Sequence, residues 1–241
     1  MIKHILHTSI IVAWVIFATI ILGTLVILVA LFSKKGNFAH RIARLWGRSI
    51  LFVSRVHVDV NGLDNIPSGS SCILMANHQS NFDIPVLLGR LPVQFRWLAK
   101  EELFRIPIFG RGMRGCGYIS IDRSNRKLAF ASLKEAARKI REGVSVLIFP
   151  EGTRSSDGKI RPFKKGGFVL SVDAGVPIVP IVIYGTRAIM PKGRLLVKSQ
   201  DVRMDILTPI ETSDYTRKTK DDLMEKVRST ICERFDIFFK K

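Results

Sequence analysis

His78 and Asp83 stand five positions apart in the segment Asn77-His78-Gln79-Ser80-Asn81-Phe82-Asp83. A carboxylate that orients an imidazole and stabilises its protonated form makes a general base of it. No G-x-S-x-G segment occurs in the 241 residues, so no elbow-type nucleophilic serine accompanies the pair. If the pair is catalytic, the hydroxyl it activates belongs to the substrate. On an ideal helix, residues five apart lie about 140° from each other around the axis. The side chains therefore meet only where the chain bends. Cys72-Ile73-Leu74-Met75-Ala76 reads as a buried strand just before them, and a helix is expected from Asp83 to Leu91, so a strand-to-helix turn supplies the bend. Asp83 also precedes Ile84-Pro85, as a helix N-cap with proline in the first turn would. Capping and orienting His78 do not exclude each other.

A second group is Phe149-Pro150-Glu151-Gly152-Thr153-Arg154-Ser155-Ser156, again at the end of an apolar strand, Val144 to Phe149. Ligands of α/β folds gather at such strand ends. Glu, Arg and hydroxyls on a glycine-bearing loop can hold a phosphate and glycerol hydroxyls. The plainer alternative is a solvated turn, and Ser156-Asp157-Gly158 has that composition. Lys164 and Lys165 add positive potential. In Gly117-Tyr118-Ile119-Ser120-Ile121-Asp122-Arg123, Arg123 leaves a strand and is suited to fork a phosphate, unless Asp122 pairs with it as a surface ion pair. Gly110-Arg111-Gly112-Met113-Arg114-Gly115 matches G-x-G-x-x-G. A dinucleotide fingerprint follows a strand and opens a helix. This one leads into a strand, so a flexible loop near a ligand is expected instead.

The elements that must position these residues alternate. Strands are expected over Val56 to Val60, Cys72 to Ala76, Phe95 to Ala99, Tyr118 to Ile121, Val144 to Phe149 and Ile178 to Tyr184. Pro180 suggests an edge position or a bulge for the last of them. Helices are expected over Leu128 to Arg141 and Gly167 to Ala174. Leu195 to Lys198 and Val202 to Leu207 are candidates to pair as late strands. Thr219-Lys220-Asp221-Asp222 resembles a capping box opening a C-terminal helix, with Asp in place of the usual Glu or Gln. Alternating strands and helices argue for an α/β layered domain.

Thirty-eight Lys and Arg against 20 Asp and Glu give a formal charge of +18. That balance points to anionic partners: nucleic acid, anionic lipid, a phosphorylated substrate or an acidic carrier protein. Cys72, Cys116 and Cys232 form no C-x-x-C pattern, so neither zinc nor a disulfide framework is expected and a reducing compartment fits. Between Lys3 and Lys34 lie 30 residues without a formal charge. About 20 apolar residues cross a bilayer, so this run either crosses with tilt or folds as a monotopic hairpin around Gly23. A signal peptide has a shorter apolar region and an A-x-A site, which this run lacks. Lys34, Lys35, Arg41, Arg44, Arg48 and Arg55 follow it, placing the body on the cytoplasmic side by the positive-inside rule. Asn37 to Ser54 has helical apolar spacing with Arg between, which suits a helix lying in the lipid interface or one packed on the domain. The chain thus divides into a membrane-anchoring segment, 1–55, and an α/β domain, 56–241. Membrane and His/Asp box together argue against a nucleic-acid-binding module, for which no aromatic signature is present.

The boxes, taken in order, resemble the 1-acyl-sn-glycerol-3-phosphate acyltransferases of the glycerophospholipid acyltransferase superfamily. The match runs from about Ser71 to Tyr184 and includes the H-x4-D box, Lys100-Glu101-Glu102-Leu103-Phe104, the Gly117 to Arg123 box, the Phe149 to Ser155 box and Val176-Pro177-Ile178-Val179-Pro180-Ile181. The resemblance implies an α/β acyltransferase domain with an N-terminal membrane-binding helical segment. It implies His78 as general base and Asp83 as its orienting partner. Acceptor binding falls on Arg123, Glu151, Gly152, Thr153 and Arg154, with Lys100 adding charge. The implied partners are lysophosphatidic acid, an acyl-CoA or acyl carrier protein thioester as co-substrate, and anionic membrane lipid, without metal or other cofactor. The implied product is phosphatidic acid, at the cytoplasmic face of an inner membrane. Another lysolipid acceptor, such as a lyso-ornithine lipid, is the alternative. Backbone N–H groups near Gly152 are the candidates for oxyanion stabilisation.

Overall fold

The computed structural model describes residues 2–33, 35–122 and 124–239. An uncharged apolar run satisfies its backbone most simply as a helix, and α1 spans Ile2–Phe32 without a break at Gly23. The expected hairpin alternative is therefore not the one adopted. In chain order there follow α2 (Asn37–Val53), β1 (Val58–Asn61), β2 (Ile73–Ala76), α3 (Asp83–Arg90), β3 (Phe95–Lys100), α4 (Glu101–Phe104), α5 (Phe109–Gly115) and β4 (Ile119–Ile121). The chain continues with α6 (Arg126–Arg141), β5 (Ser145–Ile148), α7 (Gly166–Ala174), β6 (Ile178–Tyr184), α8 (Thr186–Ile189), β7 (Val202–Ile206) and α9 (Lys220–Phe239).

The seven strands form one sheet in the order β1-β7-β6-β2-β5-β3-β4. Five run parallel, from β6 to β4, while β7 is antiparallel to β6 and carries β1 parallel to itself. The central strands β2, β5 and β6 are buried throughout, which is why they read as unbroken apolar runs. Successive side chains take opposite faces. Cys72, Leu74 and Ala76 join one core with α3 and residues Ile11, Ile50 and Leu51 of α1 and α2. Ile73 and Met75 join the other, under α6, α7 and α9. The N-terminal helices thus share a core with the sheet.

Pro180 is not at an edge, because β6 pairs with β2 on one side and β7 on the other. It sits at a bulge. Ile181 pairs with Ile206 but Ile178 bridges Ile210, three steps along β6 against four along its partner. Ile178 directs both its N–H and C=O toward that partner, so by alternation the nitrogen of Pro180 points there too, where the ladder is interrupted. Residues 195–198 form no strand; Leu195 is exposed and Val197 donates its N–H to Thr8 Oγ1 of α1 at 3.0 Å. Val202–Ile206 instead pairs with β1 and β6. At the start of α9, Thr219 Oγ1 accepts from the Thr216 N–H, so the expected box is not made.

The glycine-rich segment is α5, not a loop. A Cβ on Gly115 would lie 3.1 Å from Ala30 Cβ and from Val26 Cγ1, and one on Gly23 2.8 Å from Ile108. Glycines there let α5 lie against α1. The same device joins α2 to α3: a Cβ on Gly47 would sit 2.8 Å from Leu88 Cβ, and one on Gly89 3.0 Å from Leu51. The helix that begins with Asp83 is thereby fastened to the N-terminal helices.

Candidate active site

Parallel strands put their C-terminal ends on one edge of the sheet. β2 delivers Asn77 and His78 there, β5 delivers Phe149 to Ser155, and β3 ends at Lys100. Asn77 extends the β2–β6 ladder with its side chain: its amide donates to Ile183 O at 3.0 Å and accepts from Ile183 N at 2.7 Å. The chain then turns back, and Asp83 becomes the first residue of α3. Its carboxylate does not cap that helix. Oδ2 accepts three bonds from the turn behind it: His78 Nδ1 at 2.7 Å, Gln79 N–H at 2.7 Å and Ser80 N–H at 2.9 Å. The Ser80 hydroxyl takes the Phe82 N–H instead. Asp83 is wholly buried and its Oδ1 has no partner among the described residues.

An oxygen that already accepts two backbone N–H bonds is an acceptor, so Nδ1 of His78 is the donor and Nε2 carries the lone pair. The His78 ring stacks on Phe149, with centroids 3.8 Å apart and planes within 6°. Its backbone is held as well: the N–H donates to Glu151 Oε1 at 2.7 Å and the C=O accepts from Ser155 N–H at 2.9 Å. The loop after β5 thus grips His78 by its ring face and by both backbone groups.

The residues expected to bind an anionic acceptor divide. Gly152 takes φ +75°, a value suited to glycine, and donates its N–H to Phe149 O at 3.0 Å, which engages one candidate oxyanion donor in the turn. Thr153 is exposed, and the Arg154 guanidinium has no hydrogen-bond or ion-pair partner among the described residues. Lys100 lies at the same sheet edge, exposed and paired with Glu102 at 2.7 Å. Arg123 lies outside the described residues. Glu151 is 2% exposed and both its oxygens accept backbone N–H groups, Oε1 from His78 and Oε2 from Arg161 at 2.8 Å. Burial, with the Asp83 charge adding to it, pushes its carboxyl up to about 7 against the two N–H bonds. Among the described residues no group of three His, Cys, Asp or Glu side chains could hold a metal ion.

Two contributors have roles that the sequence did not indicate. Phe149 looked like the end of a strand and is the plate under the imidazole. Lys192 comes from the loop after α8, which an isolated bridge between Ser80 and Pro191 pins beside the His78 turn. Its Nζ donates to Arg154 O at 3.1 Å. Only the pairing of β6 with β2 brings that loop near, so local spacing could not have shown it.

This geometry sets an imidazole with its Nε2 lone pair unused beside a cationic loop, an arrangement able to take a proton from a bound hydroxyl. The profile of the Acyltransferase family matches residues 57–184, which hold every site residue but Lys192. The chain is 38% identical over 212 residues to a chloroplastic 1-acyl-sn-glycerol-3-phosphate acyltransferase of Brassica napus, covering 87% of this chain and 60% of that one. It is 30% identical over 223 residues to 1-acyl-sn-glycerol-3-phosphate acyltransferase alpha of Homo sapiens, covering 92% and 77%. The crystal structure of the 1-acyl-sn-glycerophosphate acyltransferase PlsC from Thermotoga maritima superposes with a TM-score of 0.85 at 29% identity, covering 100% of this chain and 98% of that one. The chain belongs to the 1-acyl-sn-glycerol-3-phosphate acyltransferase family. It spans 60% and 56% of the length of two chloroplastic relatives, from Brassica napus and Arabidopsis thaliana.

Proposed function

We propose that the protein transfers a fatty acyl group from a thioester to the free glycerol hydroxyl of 1-acyl-sn-glycerol 3-phosphate, giving phosphatidic acid. The observation that carries this reading is the His78–Asp83 bond of 2.7 Å, which leaves Nε2 as the free base. Nε2 takes the proton of the hydroxyl as its oxygen attacks the thioester carbonyl. Collapse of the tetrahedral intermediate breaks the carbon–sulfur bond, and the leaving thiolate takes the proton back from the imidazolium. The ester forms without an acyl-enzyme. Asp83 holds the tautomer and offsets the imidazolium charge. Arg154, Thr153, Gly152 and Lys100 receive the acceptor's phosphate and hydroxyls, and Lys192 adds positive charge beside Arg154. The names of the relatives support this acceptor.

The site works at a membrane surface, on the cytoplasmic side of an inner membrane, with anionic lipid under the basic body. α1 is long and apolar enough to cross a bilayer, with a mean hydropathy of 3.0 over its candidate span. Its contacts favour a helix lying along the body: Thr8 near one end bonds Val197, and Gly36 just past the other packs on the Cys116 carbonyl. The deciding experiment is thioester consumption by the purified protein with lysophosphatidate, run in parallel with acyl-CoA and acyl carrier protein donors. Wild-type turnover that disappears in His78→Ala is the expected result. Retention of near-wild-type turnover by that variant would sink the mechanism. A phosphate-free lysolipid acylated faster than lysophosphatidate would move the assignment to another acceptor.

A further inference from the structure

We propose that Glu151 is a positioning residue, whose carboxylate locks the His78 turn to the loop after β5 by accepting a backbone N–H from each of two chain segments. The proposal rests on the acyl-transfer reading and changes what Glu151 does in it. His78 is fixed at four points: ring nitrogen on Asp83, ring face on Phe149, backbone C=O on Ser155 and backbone N–H on Glu151. Three of the four come from residues 149–155. Glu151 also reaches furthest onward, through Oε2 to the N–H of Arg161, ten residues along. That bond, with the one from the Lys164 N–H to Pro150 O at 2.8 Å, closes the excursion carrying Thr153 and Arg154. One carboxylate thus ties the His78 turn to both ends of the cationic loop.

A side chain so buried has no open face toward an acceptor, and its negative charge would repel a phosphate. What it offers is two oxygens that only accept, aimed at two N–H groups. An amide of the same shape must turn its NH2 toward one of those donors, and a protonated carboxyl loses an acceptor in the same way. The charged and titratable groups around it are His78 and Asp83 from the turn and α3, Arg161 from the loop, and Cys232 from α9. With the carboxyl raised by burial to about 7, the lock gives up an acceptor as pH falls through that value.

The test uses the full chain in lipid vesicles, comparing wild type, Glu151→Gln and Glu151→Asp. Amide hydrogen exchange is read at His78 and Arg161, with Ile73–Ala76 of β2 as internal reference. In Glu151→Gln, protection falls at one or both amides while β2 keeps its own. The kcat falls by about 10²-fold, the order that a displacement of about 1 Å costs, and KM for lysophosphatidate stays within a few-fold. Glu151→Asp, acid but shorter, recovers part of kcat. Unchanged exchange at both amides, or a large rise in KM at constant kcat, overturns the proposal, the latter because it marks a direct acceptor ligand. If wild type itself turns over neither thioester, the acyl-transfer reading fails, and the exchange data still decide whether the lock exists.

Discussion

At the scale of single residues, the site depends on one oxygen. Oδ2 of Asp83 serves His78 and two backbone N–H groups at once. Asp83→Asn keeps an acceptor there but removes the charge that offsets the imidazolium. Its expected phenotype is a folded protein with kcat reduced by about 10²-fold or more. Asp83→Ala strands the Gln79 and Ser80 N–H groups in a buried turn and should lower stability by about 1–3 kcal/mol for each unsatisfied group. Thermal unfolding beside kcat separates the two variants. Comparable unfolding temperatures would show that the bonds to the turn contribute nothing. His78→Ala should lose about 10²–10⁴-fold in rate with its circular dichroism unchanged. For Glu151 the pH dependence has a definite sign. Its folded-state value of about 7 lies above the reference 4.5, so the folded chain holds the extra proton between them. Stability from this group is present below about pH 4.5 and is lost as pH rises through 7, by about 3 kcal/mol in total. Denaturant titrations at pH 5 and 8 should show that loss in wild type and not in Glu151→Gln.

At the scale of elements, the helix holding Asp83 is positioned from outside the sheet. α2 meets α3 through Gly47 and Gly89, where an added Cβ would lie 2.8 Å from Leu88 Cβ and 3.0 Å from Leu51 Cδ1. An alanine at position 47 would gain about 1 kcal/mol of helix propensity. Against that, its Cβ would lie 2.8 Å from Leu88 Cβ and 3.2 Å from two backbone atoms of α3. Overpacking of this kind costs about 1–3 kcal/mol, so Gly47→Ala should be net destabilising and should reduce kcat by shifting Asp83. An unfolding temperature raised above wild type would show that α2 and α3 have room to separate. The strands and main helices were legible as elements because burial on both faces forces unbroken apolar runs and helical faces force their own period. Pro180 was only half legible. Proline excludes a central ladder position unless a bulge accommodates it, and the bulge is made by residues 207–210, far away in sequence. Residues 195–198 have strand composition but spend their hydrogen bonding on α1 and α8.

At the scale of the whole molecule, one helix presents Ile10, Phe17, Ile21 and Leu28 outward, each more than half exposed, while its other side packs on α2 and α5. Transferring each such side chain from water to lipid is worth about 1.5–3 kcal/mol. Ile10→Asp with Phe17→Asp should therefore lower partition into anionic vesicles by tenfold or more in a co-sedimentation assay, leaving the fold intact. Unchanged partition would assign attachment to the basic surface instead.

Residue types and their order were enough to expect an α/β domain, an apolar N-terminal helix and a His/Asp pair at a strand end. Those features rest on burial and on short-range spacing, which a single chain carries locally. The sequence alone could not say what Asp83 does at the start of its helix, which side of Glu151 faces what, or that Phe149 and Lys192 belong beside His78. Each depends on where the sheet places segments tens of residues apart. Three parallel strands, β2, β5 and β6, ending at one edge bring 78, 151, 161 and 192 together, and only there does the Glu151 carboxylate meet the N–H groups of His78 and Arg161.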